Sequence, residues 1–139
     1  MAVRLPHLPE QLGGLLRRRQ PPESRTVLIV DANAADRQAT RRHVQALGCE
    51  AVEAQTPDEA LQQMEAHLPD YVLLALDLPD ANALDVLGQL READPNVNVI
   101  VLARDWRDAR TAEAMRQGAA AYLAKPFSQD DLRELLSPG

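Results

Sequence analysis

The 139-residue sequence has one cysteine, three histidines, no excess of basic residues and no long apolar run, and each shortage removes a class of protein. A lone cysteine, Cys49, excludes an internal disulfide framework and fits a reducing compartment. Cys49 reads as a small apolar residue opening a strand. His7, His43 and His67 are scattered without the spacing of a metal site. A formal charge of −6 argues against direct nucleic-acid binding, which needs a basic face for the phosphates. The densest basic run, Arg17 to Arg19, reads as a solvated helix end. Residues 1–20 are interrupted by Pro6, Pro9 and Gly13-Gly14, so they supply neither a signal peptide nor a membrane span. The expectation is a cytoplasmic, soluble protein without membrane contact.

With 45% hydrophobic residues, the chain can fill one core of ordinary size. Its composition shifts once, at "RRRQPPES", which divides a leader (1–24) from a strongly patterned domain (25–136) and a tail (137–139). In the leader, Leu8, Leu12, Leu15 and Leu16 fall at helical spacing. A short amphipathic helix, weakened by Gly13-Gly14, competes there with a frayed tail. No second domain is visible, which leaves a stand-alone protein and a piece of a longer one both open.

From residue 26 the pattern alternates. "TVLIVD" has strand length and ends in an acid; "NAADRQATRRHVQALG" has helical spacing and closes on Gly48. "EAVEA" is a short strand, and Thr56 caps "PDEALQQMEAHL", with Pro57 at the first helical position and Glu59 three residues after the cap. "YVLLA" and helical "ALDVLGQLREAD" follow, then "VNVIVLA" and "DARTAEAMRQG", then "AAAYLA" and "QDDLRELL" capped by Ser128. Continuous apolar strands alternating with helices predict an α/β domain with a parallel sheet covered on both faces. Right-handed crossovers bring the strand-to-helix loops to one edge: 31–33, 75–83, 103–107 and 125–128.

Those four loops resemble the receiver domain of two-component response regulators, over nearly all of residues 26–136. The resemblance implies a CheY-like, flavodoxin-like (βα)5 sandwich with strand order 2-1-3-4-5, and a site at the switch point between strands one and three. It also implies bacterial phosphorelay signalling. In that family the first strand ends in an acidic pair, the third in the phosphoacceptor aspartate, the fourth in Thr or Ser, and the fifth runs into Lys-Pro. Mg²⁺ neutralises the incoming phosphoryl group while the lysine and hydroxyl bind its other oxygens.

This sequence departs from that pattern at the reactive positions. Asp31 matches the first acid, but Ala32 stands at the direct metal ligand, Ala75 at the phosphoacceptor, Ala103 at the hydroxyl residue and Ala83 at the glycine after the acceptor loop. Asp31, Lys125, Pro126, Phe127 and the switch aromatic Tyr122 remain. Four losses together point to a naturally degenerate domain, a pseudo-receiver, rather than to one engineered change. No cofactor is expected, and Mg²⁺ is expected to bind weakly at most, through Asp31 and the Asp77 region.

Asp31 and Lys125 are expected to form a partly buried ion pair. Asp77 lies two residues past the blank position, about 7 Å along an extended chain, and reads as a solvated loop carboxylate with a substitute acceptor as the alternative. Arg104 is expected to reach over the vacated pocket towards Asp31 or Asp77, against a competing reading in which it points into solvent. Tyr122 is expected inward, because Ala103 leaves space, and Lys125-Pro126 is expected cis by resemblance. The leading expectation of function is a phosphorylation-independent module that binds protein partners, including a second copy, through the fourth helix, fifth strand and fifth helix. A regulator phosphorylated on Asp77 and a small-molecule sensor using the vacated pocket are the alternatives. An enzyme is not expected, since the loops assemble no nucleophile, base and orienting partner.

Overall fold

A computed structural model of the protein describes residues 25–136. The leader, for which a short helix or a frayed tail is expected, and the C-terminal tail lie outside the described residues. Five strands, β1 (Thr26–Val30), β2 (Glu50–Ala54), β3 (Tyr71–Ala75), β4 (Asn98–Ala103) and β5 (Ala121–Ala124), alternate with α1 (Ala34–Ala46), α2 (Pro57–His67), α3 (Ala83–Ala93), α4 (Ala109–Arg116) and α5 (Gln129–Leu136). All pairings are parallel, in the order β2-β1-β3-β4-β5.

The sheet is buried on both sides because successive strand residues point to opposite faces. Leu28, Val30, Val72, Leu74, Val99 and Val101 pack with Met64 of α2, Leu87 and Leu90 of α3 and Ala114 of α4. Their neighbours Val27, Ile29, Leu73, Ile100 and Leu102 pack with Val44 of α1 and Leu132 and Leu136 of α5. β5 is one of the two edge strands, with β2 the other, and is mostly half-buried. Its start differs from the predicted 119, because the Ala119 amide still bonds the Ala114 carbonyl at the exit of α4.

Caps fix where helices begin and end. Thr56 accepts from the Glu59 amide (3.2 Å) and Pro57 follows it, while Ser128 and Asp131 exchange side chain-to-amide bonds at 3.0 Å each way. Asp108, assigned to a helix by periodicity, is instead the N-cap of α4, its carboxylate accepting from the Arg110 amide at 2.9 Å. Gly48 takes φ +86° after α1, a conformation that favours glycine. Leu68 ends α2 in the left-handed region at φ 47°.

The parallel arrangement carries the ends of β1, β3, β4 and β5 to one sheet edge. At that edge, Ala75 pairs with Leu102 and Ala103 with Ala124.

Candidate functional site

Asp31 follows β1 and is held from several directions. Its amide donates to the Ala54 carbonyl (3.0 Å), its Oδ1 accepts from the Asn33 amide (3.0 Å), and its carbonyl accepts from Arg37 Nη1 (2.9 Å). Arg37 is buried on α1 and pairs through Nε with Glu53 at 2.8 Å; Arg41 also pairs with Glu53. Burial works against ionisation of Glu53, but the bonds from Arg37 and Arg41 outweigh it and hold the carboxyl below its ordinary range.

Lys125 follows β5, its amide bonded to the Ala103 carbonyl (2.7 Å). Its ammonium lies 2.7 Å from Asp31 Oδ2, with side-chain exposures of 7% and 1%. The expected pair is therefore present, and more deeply buried than its sequence position required. The Lys125-Pro126 bond is cis.

The sequence reading missed Asp36, in the first turn of α1. Its Oδ2 accepts from Lys125 Nζ at 3.0 Å and from Arg104 Nη2 at 2.6 Å. The Lys125 bond, with the Arg104 charge added and burial opposing in part, holds the Asp36 carboxyl below the usual carboxylate range. Helical spacing placed Asp36 near the loop, but nothing in the local pattern shows it turned towards residue 125.

Arg104 does not reach Asp31. Asp31 is already enclosed by its own loop and Lys125, so Asp36 takes the short contact and Asp77 a longer one, Nε to Oδ2 at 3.9 Å. Asp77 is half-exposed, yet it is not simply solvated: Arg110 Nη2 lies 3.0 Å from its Oδ1. Arg110, also missed, donates to the Leu76 carbonyl (2.8 Å) and pairs with Asp108 (2.7 Å). Asp108 chiefly, and Asp77 next, raise the pKa of Arg110, whose hydrogen bonds in turn lower that of Asp108.

The blank positions are closed rather than open. Ala75 and Ala103 are 1% and 2% exposed, Ala83 is buried at the start of α3, and half-buried Ala32 packs on the core. A cavity of about 310 Å³ lies to one side, between α1 and the β5–α5 loop, walled by Asp36, Thr40, His43, Arg104, Lys125 and Phe127. None of Ala32, Ala75 and Ala103 lines it. Tyr122 is 43% exposed and so does not occupy the inward position expected of it; Ala103 is already sealed in the core, which leaves little room for a ring. Pro126 is exposed, whereas Phe127 is half-buried with its ring 5.8 Å from that of His43, turned towards α1.

Among the described residues, no three His, Cys, Asp or Glu side chains are grouped to hold a metal ion, and no helix is long and apolar enough to cross a membrane.

Residues 27–137 match the family model described as the response regulator receiver domain. The chain is 31% identical over 112 residues to the chemotaxis protein CheY of Thermotoga maritima, covering 80% of this chain and 93% of that protein. It is 35% identical over 105 residues to the transcriptional regulatory protein KdpE of Mycobacterium tuberculosis, covering 76% of this chain and 46% of KdpE, so it spans about half the length of that relative. Among solved structures, a CheY-like receiver domain protein from Methanospirillum hungatei superposes with a TM-score of 0.74 at 26% identity, over 81% of this chain and 90% of that one. A two-component response regulator from Clostridium difficile shares the fold, with a TM-score of 0.75 at 18% identity over 81% and 93% of the two chains.

Proposed function

The chain belongs to the response regulator receiver domain family, and from that premise we propose that it is a pseudo-receiver, a signalling module that binds protein partners without being phosphorylated. One observation carries this reading. The residue ending β3, where active members hold the acceptor carboxylate, is Ala75, a buried methyl with no atom to phosphorylate. The lysine that would meet a phosphoryl group already serves two carboxylates.

The residues present do not fit Mg²⁺. The ion needs several oxygen ligands in near-octahedral array. Ala32 and Ala75 have no side-chain oxygen, both Asp31 oxygens are engaged, and the Asp77 carboxylate is committed to Arg110. No step of the proposed function runs through a metal ion.

What remains is a scaffold whose surface acts by recognition, with protein partners or a second copy docking on α4, β5 and α5. Tyr122 and Met115 are the exposed large hydrophobic side chains there. Incubation with acetyl phosphate and Mg²⁺, followed by intact mass, tests the reading. No added phosphoryl group is expected; one that appears and is lost in Asp77→Asn would make the chain a phosphorylated regulator instead. The cavity beside the cleft favours a second reading, a small-molecule sensor, though one that uses the α1 side rather than the vacated pocket.

A further inference from the structure

The sheet edge opposite the cleft carries features that the site described above does not use. Asp70, just before β3, is buried, and its Oδ2 accepts from the Thr26 amide at 3.1 Å; its Oδ1 is also buried and has no hydrogen-bond partner among the described residues. A buried carboxylate oxygen without a donor costs free energy, which a donor from beyond residues 25–136 would remove. Two residues upstream, Leu68 is 57% exposed and holds φ 47°, a left-handed conformation that large side chains rarely adopt. Beside it a groove of about 90 Å³ opens between the C-terminal ends of α2 and α3, lined by Met64, Glu65, Leu68, Ala93 and Asp94. The described chain starts at this same edge with Arg25. Its guanidinium is spent on the other face of the sheet, bonded to the Leu136 carbonyl at 2.7 Å and to the Tyr71 hydroxyl at 3.4 Å.

We infer that the groove between α2 and α3 is the docking site of the chain's own leader, residues 1–24, with Leu12, Leu15 and Leu16 over its apolar floor and Arg17–Arg19 towards Glu65. Position selects that occupant first. The Asp70 amide donates to the Thr26 carbonyl at 2.9 Å, so the point where the leader joins the domain lies against Asp70, and Leu68 is at most about 7 Å further along the chain. The six residues from Arg19 to Arg25 reach up to about 20 Å when extended, which spans that gap. Charge selects it next. Four of the 15 basic residues and two of the 21 acidic ones lie in residues 1–24, which makes the leader +2 and the remainder of the chain −8. Leucines at helical spacing form the kind of apolar stripe that lies in a groove between helices. Crossing the edge, the leader supplies Asp70 Oδ1 with its donor. The groove lies away from α4, β5 and α5, so docking leaves the proposed partner face free.

The test is paramagnetic broadening of amide NMR signals in the full chain, with a nitroxide on Gln11→Cys in a Cys49→Ala background. Signal loss is expected to concentrate at residues 64–70 and 93–96 and to be relieved when the nitroxide is reduced. Leu12→Glu/Leu16→Glu should spread the loss evenly over the surface. Leu68→Gln, made on the groove side, should do the same and tests the contact without altering the leader. Even loss in the chain with its leucines intact, loss centred on Tyr71, Ala121 and Leu135 of the opposite face, or a pattern unmoved by either substitution overturns the inference. Mixing a labelled chain with an isotopically enriched, unlabelled one separates docking within a chain from docking between copies; broadening carried to the second chain would overturn it too. A phosphoryl adduct in the mass measurement would defeat the pseudo-receiver reading and leave this one standing.

Discussion

Asp31 and Lys125 illustrate how a charged pair is accommodated inside a protein. Each side chain is nearly sealed from water, and each is tolerated because the other is 2.7 Å away. Lys125→Met should therefore cost about 3–5 kcal/mol, since it strands a buried carboxylate, whereas Lys125→Met with Asp31→Leu should recover most of that loss. Urea unfolding of the two variants measures both numbers, and a double variant no more stable than the single one would contradict the argument. The carboxyls of Asp36, Glu53 and Asp108 are all held below their ordinary range by basic partners. For an acid whose folded pKa is depressed, the stabilisation is complete above the unfolded value and is lost as pH falls through the folded one. Stability should thus be level near neutrality and decline below about pH 4, where unfolded carboxylates begin to protonate. Replacing Asp36 with Asn should flatten part of that decline in a pH series of thermal melts.

At the scale of elements, α4 is fastened at its first turn. Arg110 joins it to the Leu76 carbonyl and to Asp77 on the β3–α3 loop, and Asp108 caps the same turn. A helix tethered to the neighbouring loop by a bond of 2.8 Å to a carbonyl is hindered from sliding against the sheet. Arg110→Ala should lower stability by about 1–2 kcal/mol, the net worth of a few partly exposed, charge-assisted bonds. It should also speed hydrogen exchange in 109–116 more than in α1 or α5. Uniform acceleration across all helices would mean that Arg110 serves general stability rather than the position of α4.

For the molecule as a whole, the cleft's charges are mutually satisfied by its own side chains. Asp36, Asp77 and Asp108 meet Arg104, Arg110 and Lys125, and Asp31 meets Lys125. A ligand that binds only the folded state raises its melting temperature, so millimolar Mg²⁺ should leave the melting temperature of this protein unchanged beyond what matched Ca²⁺ or NaCl does. A saturable rise specific to Mg²⁺ would mean that the cleft still holds an oxygen-ligand set.

The sequence by itself determined the alternation of apolar strands and helices, the caps at Thr56 and Ser128, the meeting of four loops at one sheet edge, and the placing of Ala32, Ala75 and Ala103 in those loops. These follow from periodicity, capping chemistry and the handedness of crossovers, all of which act over short stretches or through topology. Tertiary structure alone decided how the remaining charges pair. Asp36 and Lys125 are 89 residues apart, and of the two acids expected for Arg104 it meets Asp77 at 3.9 Å but not the enclosed Asp31, while its short contact goes to Asp36. Whether Tyr122 turns in or out likewise depended on how tightly the core closed over Ala103. Long, flexible charged side chains find partners by reach and competition across elements, and a linear pattern records neither.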